Sequence, residues 1–244
     1  SFSRDHLDHH GTMEAYRAFV AETGLSEVVA LELGRKRFAD MRWEELWDAS
    51  LRIRNRFARA DWPAALRAEL ADELQAAVGE RRVVVRSSAP GEDAADRSFA
   101  GLHDSYVNVR GVPAILDHLR RVWASLWSDR ALLYRQELGL DPAASAMAVV
   151  VQELRVGERS GVCFTRGPVS SADAVVEAVW GLNEGLVDGA VAPDRWHLDR
   201  DSGALRHEPP EAREAAMRAT SAGTRLEPLA KAARREPPLA ETEV

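Results

Sequence analysis

Apolar positions between Met13 and Val78 recur at spacings of three and four. Leu46, Ala49, Ile53 and Phe57 form one stripe, and Leu66, Leu70 and Leu74 form another after Asp61-Trp62-Pro63. That period puts the apolar side chains on one helical face, and proline suits a first helical turn. The stretch is therefore predicted to be helical scaffold. The pattern changes at Arg82. Val83-Val84-Val85 is short and β-branched and leads into Ser-Ser-Ala-Pro-Gly, which predicts a buried strand entering a loop that lasts to about Gly101. Ile115, Leu119, Val122, Trp123 and Leu126 then share one face of a helix from Pro113 to about Trp127, with a second helix near Asp129 to Leu138. Strands dominate afterwards: Ala146 to Gln152, Gly161 to Thr165, Ala174 to Val179 and Arg195 to Asp199. Turn signals at Val156-Gly157-Glu158-Arg159 and Gly167-Pro168 separate them. From about Asp201 the chain is rich in Glu, Arg, Ala and Pro and carries little core, which predicts a polar and partly mobile tail.

This order predicts an α+β protein whose two lobes face each other across a cleft. Residues 1–81 form the mainly helical part of the first lobe, 82–200 a core that adds the strands, and 201–244 a C-terminal extension. The 244 residues suffice for one large domain or two small lobes. A formal net charge of −7 argues against a nucleic-acid partner. No stretch is apolar enough to span a membrane, and Ser1 to Gly11 contains no signal-peptide core. Cys163 is the single cysteine, so an internal disulfide is excluded. In an apolar run it reads as a small buried hydrophobe, and cytoplasm is the default compartment. The chain does not start with Met, and Glu241-Thr242-Glu243-Val244 shows no natural stop, so it reads as part of a longer polypeptide.

Four segments have the residue types for chemistry. In Val85-Arg86-Ser87-Ser88-Ala89-Pro90-Gly91-Glu92-Asp93 an arginine ends a buried strand. Its guanidinium can fork onto two phosphate oxygens while staying charged, with Ser87 and loop amides as further donors. The alternative is a strand-end arginine paired with Glu92 or Asp93. Ser98-Phe99-Ala100-Gly101 sets small residues around one aromatic, which suits either a flap closing over phosphates or an ordinary turn. Val151-Gln152-Glu153-Leu154 leaves a core and turns polar. It offers backbone groups for an adenine edge and an apolar wall in Leu154, or is simply an edge strand entering solvent. In Val175-Val176-Glu177-Ala178-Val179-Trp180-Gly181-Leu182-Asn183-Glu184, Glu177 sits within a Val-rich strand and Glu184 follows a glycine turn. A carboxylate in such a strand is costly unless a cation or good donors meet it. Two of them in one cleft suit Mg²⁺, which takes one or two protein carboxylates and phosphate oxygens; a salt bridge from Glu177 to an arginine satisfies the same need. His6, His9 and His10, beside Asp5 and Asp8, read as a solvated end.

Taken in order, these segments resemble the nucleotide-binding domain shared by phosphoenolpyruvate synthases, pyruvate phosphate dikinases and rifampin phosphotransferases. The resemblance runs through Val-Arg-Ser-Ser-Ala at Val85, Ser-Phe-Ala-Gly at Ser98, Val-Asn-Val-Arg-Gly at Val107 and Ala-Val-Val-Val-Gln at Ala148. It continues through Ser-Gly-Val-Cys-Phe-Thr at Ser160, Glu-Ala-Val-Trp-Gly-Leu-Asn-Glu at Glu177 and Pro-Asp at Pro193. It implies an ATP-grasp fold with 82–200 as nucleotide-binding core, and ATP and Mg²⁺ as cofactors. It implies Arg86 and Glu177 as catalytic residues. Ser87, Ser98, Ala100 and Gly101 join Arg86 at the phosphates, and Gln152, Glu153 and Leu154 lie along the adenine. Glu177 and Glu184 are implied as phosphate contacts and metal ligands. It further implies a phosphohistidine domain and an acceptor-binding domain as partners, so that ATP's β-phosphate passes by way of a histidine to pyruvate and AMP remains. Two departures stand out: the family's Gly-Gly-Lys segment is absent, and Asn183 stands where the family often has Gly. The absent lysine also leaves open a non-catalytic nucleotide-binding module.

Overall fold

The computed structural model describes residues 9–88, 102–167, 172–221 and 223–244, with side chains from Met13 onward. The protein is α+β and divides into two compact units, residues 1–154 and 155–244. The division falls inside the stretch read from sequence as one core. Among the described residues no helix is long and apolar enough to cross a membrane.

The first unit begins with four helices, α1 (His9–Glu22), α2 (Leu25–Leu33), α3 (Trp43–Arg59) and α4 (Ala64–Ala77). The stripe read from α3 is its buried face: Leu46, Ala49, Ile53 and Phe57 are all fully buried. Glu32 of α2, itself buried, accepts from Arg35 at 3.0 Å and from Arg52 of α3 at 2.8 Å, which ties the two helices together. Three antiparallel strands follow the order β2-β1-β3, with β1 (Arg82–Ser88), β2 (Ser105–Arg110) and β3 (Ala148–Glu153). Helices α5 (Val112–Ser125) and α6 (Asp129–Glu137) lie between β2 and β3 in the chain. The core of this unit is aromatic at its centre, where the Phe19 ring lies 5.2 Å from Trp123 and 4.9 Å from Trp62.

Strand β2 was not expected. Its pairing with β1 shifts register between Val83 and Val85, where one extra residue of β2 bulges out. Asn108 sits in the bulge at φ 63, a left-handed conformation that Asn tolerates better than most residues. The bulge breaks the alternation that would have announced the strand.

The second unit is a four-stranded antiparallel sheet in the order β4-β5-β6-β7, with β4 (Arg159–Phe164), β5 (Asp173–Trp180), β6 (Asp194–Asp199) and β7 (Leu205–Glu208). One short helix, α7 (Glu184–Val187), follows β5, and a hairpin of β8 (Ala215–Thr220) and β9 (Gly223–Pro228) completes it. Strands β7 to β9 lie in the stretch read as a polar tail, and Ala216 and Leu229 there are buried. Asp194, 2% exposed, holds this part of the chain: its Oδ2 accepts from Arg213 Nε at 2.6 Å, its Oδ1 accepts from Arg213 Nη2, and His207 Nε2 lies 2.7 Å from Oδ1. The expectation of a buried Cys163 is corrected. Its thiol is exposed, because β4 is the edge strand of its sheet and is largely open along its length.

Candidate functional site

In the first unit, side chains alternate across β1. Val83, Val85 and Ser87 are buried on one face, while Arg86 is exposed on the other. Register sets Arg86 opposite Ser105 of β2 and Val150 of β3, and sets Val84 opposite Gln152. Residues directly opposite share a face, so Arg86, Ser105 and Gln152 are brought to one side of the sheet. Ser87 and Glu153 fall on the other side, with Glu153 opposite Val83 and accepting from Arg81 at 3.2 Å. Arg86 has no ion pair among the described residues. Glu92 and Asp93, its partners in the alternative reading, lie outside them, as do Ser98, Ala100 and Gly101.

Strand β3 is an edge of this sheet. The Leu154 amide donates to the Arg82 carbonyl at 2.8 Å. Alternation then turns the backbone groups of Val149, Val151 and Glu153 away from β1. The stretch from Gln152 to Leu154 therefore presents main-chain polar groups along a sheet edge, with the half-buried Leu154 beside them.

In the second unit, Glu177 lies in mid-strand opposite Val162 of β4 and Arg195 of β6. Arg195 Nε donates to Glu177 Oε1, and this bond holds the guanidinium above its ordinary pKa. The salt bridge left open by the sequence is therefore formed. Glu184 sits in the first turn of α7 after a turn that is clamped on both sides. Gly181 occupies φ 89, its amide donates to the Glu158 carbonyl at 2.7 Å, and its carbonyl accepts from Ser160 at 2.6 Å. The Leu182 amide donates to Met217 O at 2.8 Å. Asn183 has φ −62 and ψ −20, which any residue adopts, so its replacement of Gly brings no backbone strain.

Glu184 Oε1 accepts from Thr224 Oγ1 at 2.9 Å, while Oε2 is buried without a donor. Asn183 Oδ1 is likewise buried without a donor. Two unsatisfied oxygen acceptors side by side in the chain carry a cost unless a cation or a donor meets them. Their hard oxygen chemistry suits Mg²⁺. Among the described residues no group of three or more His, Cys, Asp or Glu side chains is gathered to hold a metal, so metal binding here would depend on ligands beyond the carboxylates. Lys36 pairs with Glu45 at 3.2 Å in the bend after α2. Sequence reasoning missed Thr224 and Arg195, whose roles come from strand pairing and have no local signature.

Comparison with known proteins adds the following. A family model described as pyruvate phosphate dikinase, AMP/ATP-binding domain, matches residues 10–244. The chain is 42% identical over 196 residues, 78% of its length, to the phosphoenolpyruvate synthase of Aeropyrum pernix, and this covers 24% of that protein. It is 38% identical over 196 residues, again 78% of its length, to a probable phosphoenolpyruvate synthase of Methanocaldococcus jannaschii, covering 16% of it. It is also 41% identical over 186 residues, 75% of its length, to the rifampicin phosphotransferase of Streptomyces sviceus, covering 21% of it. The chain thus spans less than a third of each of the curated relatives it matches here.

Proposed function

The chain belongs to the family of the pyruvate phosphate dikinase AMP/ATP-binding domain, and from that premise we propose that it holds ATP for a dikinase-type phosphotransfer carried out by a longer polypeptide. In this reading the two units are the lobes of an ATP-grasp arrangement. ATP leaves as AMP, and its β-phosphate passes to a histidine of a separate domain and from there to pyruvate. The observation that carries the reading is the family match over residues 10–244.

The proposed roles follow from charge and exposure. Arg86, exposed and without an ion pair among the described residues, forks onto phosphate oxygens. Ser87, buried on the opposite face, supports the strand and reaches phosphate only through its backbone. Ser98, Ala100 and Gly101 are proposed as the lid. The β3 edge from Gln152 to Leu154 faces adenine, whose ring edge needs one donor and one acceptor. Glu184 and Asn183 would supply oxygen ligands to Mg²⁺, with Glu177 as a second carboxylate whose salt bridge Arg195 shares. The metal, when bound, neutralises charge on the phosphates.

Titration calorimetry with Mg-ATP tests the assignment on the wild type, Arg86→Ala and Glu184→Gln. Each variant is expected to bind at least about ten-fold more weakly, the loss of one charge-assisted contact. Equal affinity in all three removes the proposed site. A second reading, in which the acceptor is an antibiotic, is favoured by the 41% identity to a rifampicin phosphotransferase. AMP release by the longer polypeptide with pyruvate or with rifampicin separates the two, and no AMP with either supports the non-catalytic module.

A further inference from the structure

Helix α3 packs against α2, α5 and α6 of the first unit. It buries Leu46, Ala49, Ser50, Ile53 and Phe57. A second apolar row runs along its open side, where Trp43 is 56% exposed, Trp47 47% and Leu51 48%. At spacings of four these three are neighbours on one helical face. Single exposed apolar residues need no explanation, but two tryptophans and a leucine in one row mark a surface that docks against something.

The charges of the same helix indicate what docks. They divide by sign, with Glu44, Glu45 and Asp48 in the N-terminal half and Arg52, Arg54, Arg56 and Arg59 in the C-terminal half. Glu45 already accepts from Lys36, and Asp48 from Arg52. Glu44 and Arg54 are exposed and have no ion pair among the described residues. Both adjoin the apolar row, since Glu44 precedes Trp47 by three positions and Arg54 follows Leu51 by three. Glu44 in the first turn suits the dipole of its own helix, but the basic residues of the last turn are Arg56 and Arg59, so the dipole does not account for Arg54.

We propose that this face of α3 is the seam of a homodimer, in which α3 meets the α3 of a second copy in antiparallel orientation. A two-fold axis level with Ala49 sets Trp47 of one copy against Leu51 of the other. The same axis sets Glu44 of one copy against Arg54 of the other, because both pairs are centred on that position. Two-fold symmetry repeats each contact, so one helix supplies both halves of a complementary surface. A parallel pairing brings like charges together and is disfavoured.

Sedimentation equilibrium of the 244-residue chain reads the association across the micromolar range, where an interface of this modest kind is expected to fall. Trp47→Glu puts a carboxylate into the seam and is expected to leave a monomer. Glu44→Arg and Arg54→Glu each set like charges against one another, and each is expected to weaken the dimer about ten-fold. Both changes in one chain restore opposite signs and are expected to return the affinity to within about three-fold of wild type. Circular dichroism is expected to show unchanged helical content in every variant, since each altered position is exposed. Mg-ATP affinity stays unchanged in Trp47→Glu, so failure here is distinguishable from failure of the proposed ATP site. A chain that stays monomeric throughout overturns the proposal, as does a dimer indifferent to Trp47→Glu or a double variant no stronger than the single ones. A longer polypeptide that is monomeric, or whose association Trp47→Glu leaves unweakened, overturns it too, by assigning this face to another of its segments.

Discussion

His103 makes the first unit sensitive to acid. It precedes β2, is 9% exposed, and has its pKa pushed down to about 4, first by burial and then by the nearby Arg135 guanidinium. Asp104 and a hydrogen bond with the Ser125 backbone act in the opposite direction and do not win. In the unfolded chain a histidine titrates near about 6.5. Above that pH both states are neutral and the residue contributes nothing to the pH dependence. As pH falls below 6.5 the unfolded chain takes up a proton that the folded one refuses, and stability is lost. The loss is about 1.4 kcal/mol per pH unit and ends as the folded form protonates near pH 4, so the full effect is about 3 kcal/mol. That is a large fraction of the roughly 5–15 kcal/mol of a typical domain. His103→Gln keeps the size and polarity but does not titrate. Urea unfolding of both proteins at pH 7.5, 6, 5 and 4.5 gives the difference, in which the carboxylates common to both largely cancel. Wild type is expected to lose about 2 kcal/mol more than the variant between pH 7.5 and 5. The His103 ring proton, followed by NMR, is expected to titrate near pH 4. Parallel stability curves, or a ring titrating near 6.5, would refute the reasoning.

Other perturbations report on the second unit. Asp194→Ala leaves Arg213, with a side chain 15% exposed, and His207 without their shared acceptor; it should destabilise the protein by about 3–5 kcal/mol in denaturant unfolding, as loss of one member of a buried ion pair does. Gly181→Ala drives a methyl group into the Met217 carbonyl at a positive φ. A loss of at least about 2 kcal/mol is expected, with faster hydrogen exchange at the Leu182 amide. Cys163 is exposed, so a maleimide reagent should add one label per chain under native conditions, as seen by intact mass. Full protection from labelling would contradict its place on an open edge strand.

Much of the fold was legible because its signals are local. The spacing of Leu46, Ala49, Ile53 and Phe57 announces α3, and the run of Val83, Val84 and Val85 announces β1. Strand β2 was hidden because Asn108 interrupts its alternation with a bulge. Strands β7 to β9 were hidden because their buried positions are few and their anchor is a charge pair, Asp194 with Arg213, 19 positions apart. The candidate site divides in the same way. Arg86 and Glu184 were picked out by residue type next to a strand or turn. That Ser87 turns from Arg86 to the opposite face follows from the strand period of two. The donor that meets Glu184, Thr224, comes from a hairpin 40 positions downstream.

By itself the sequence determined the helical scaffold, most of the strands and the family, since each is read from neighbouring residues or from motifs in fixed order. Tertiary structure alone decided which charges meet. Glu177 pairs with Arg195, Glu184 keeps one oxygen without a donor, and Gln152 joins Arg86 on one face. The physical reason is strand register. A side chain's partner across a sheet is set by which backbone carbonyl and amide pair first, and that choice belongs to segments far apart in the chain.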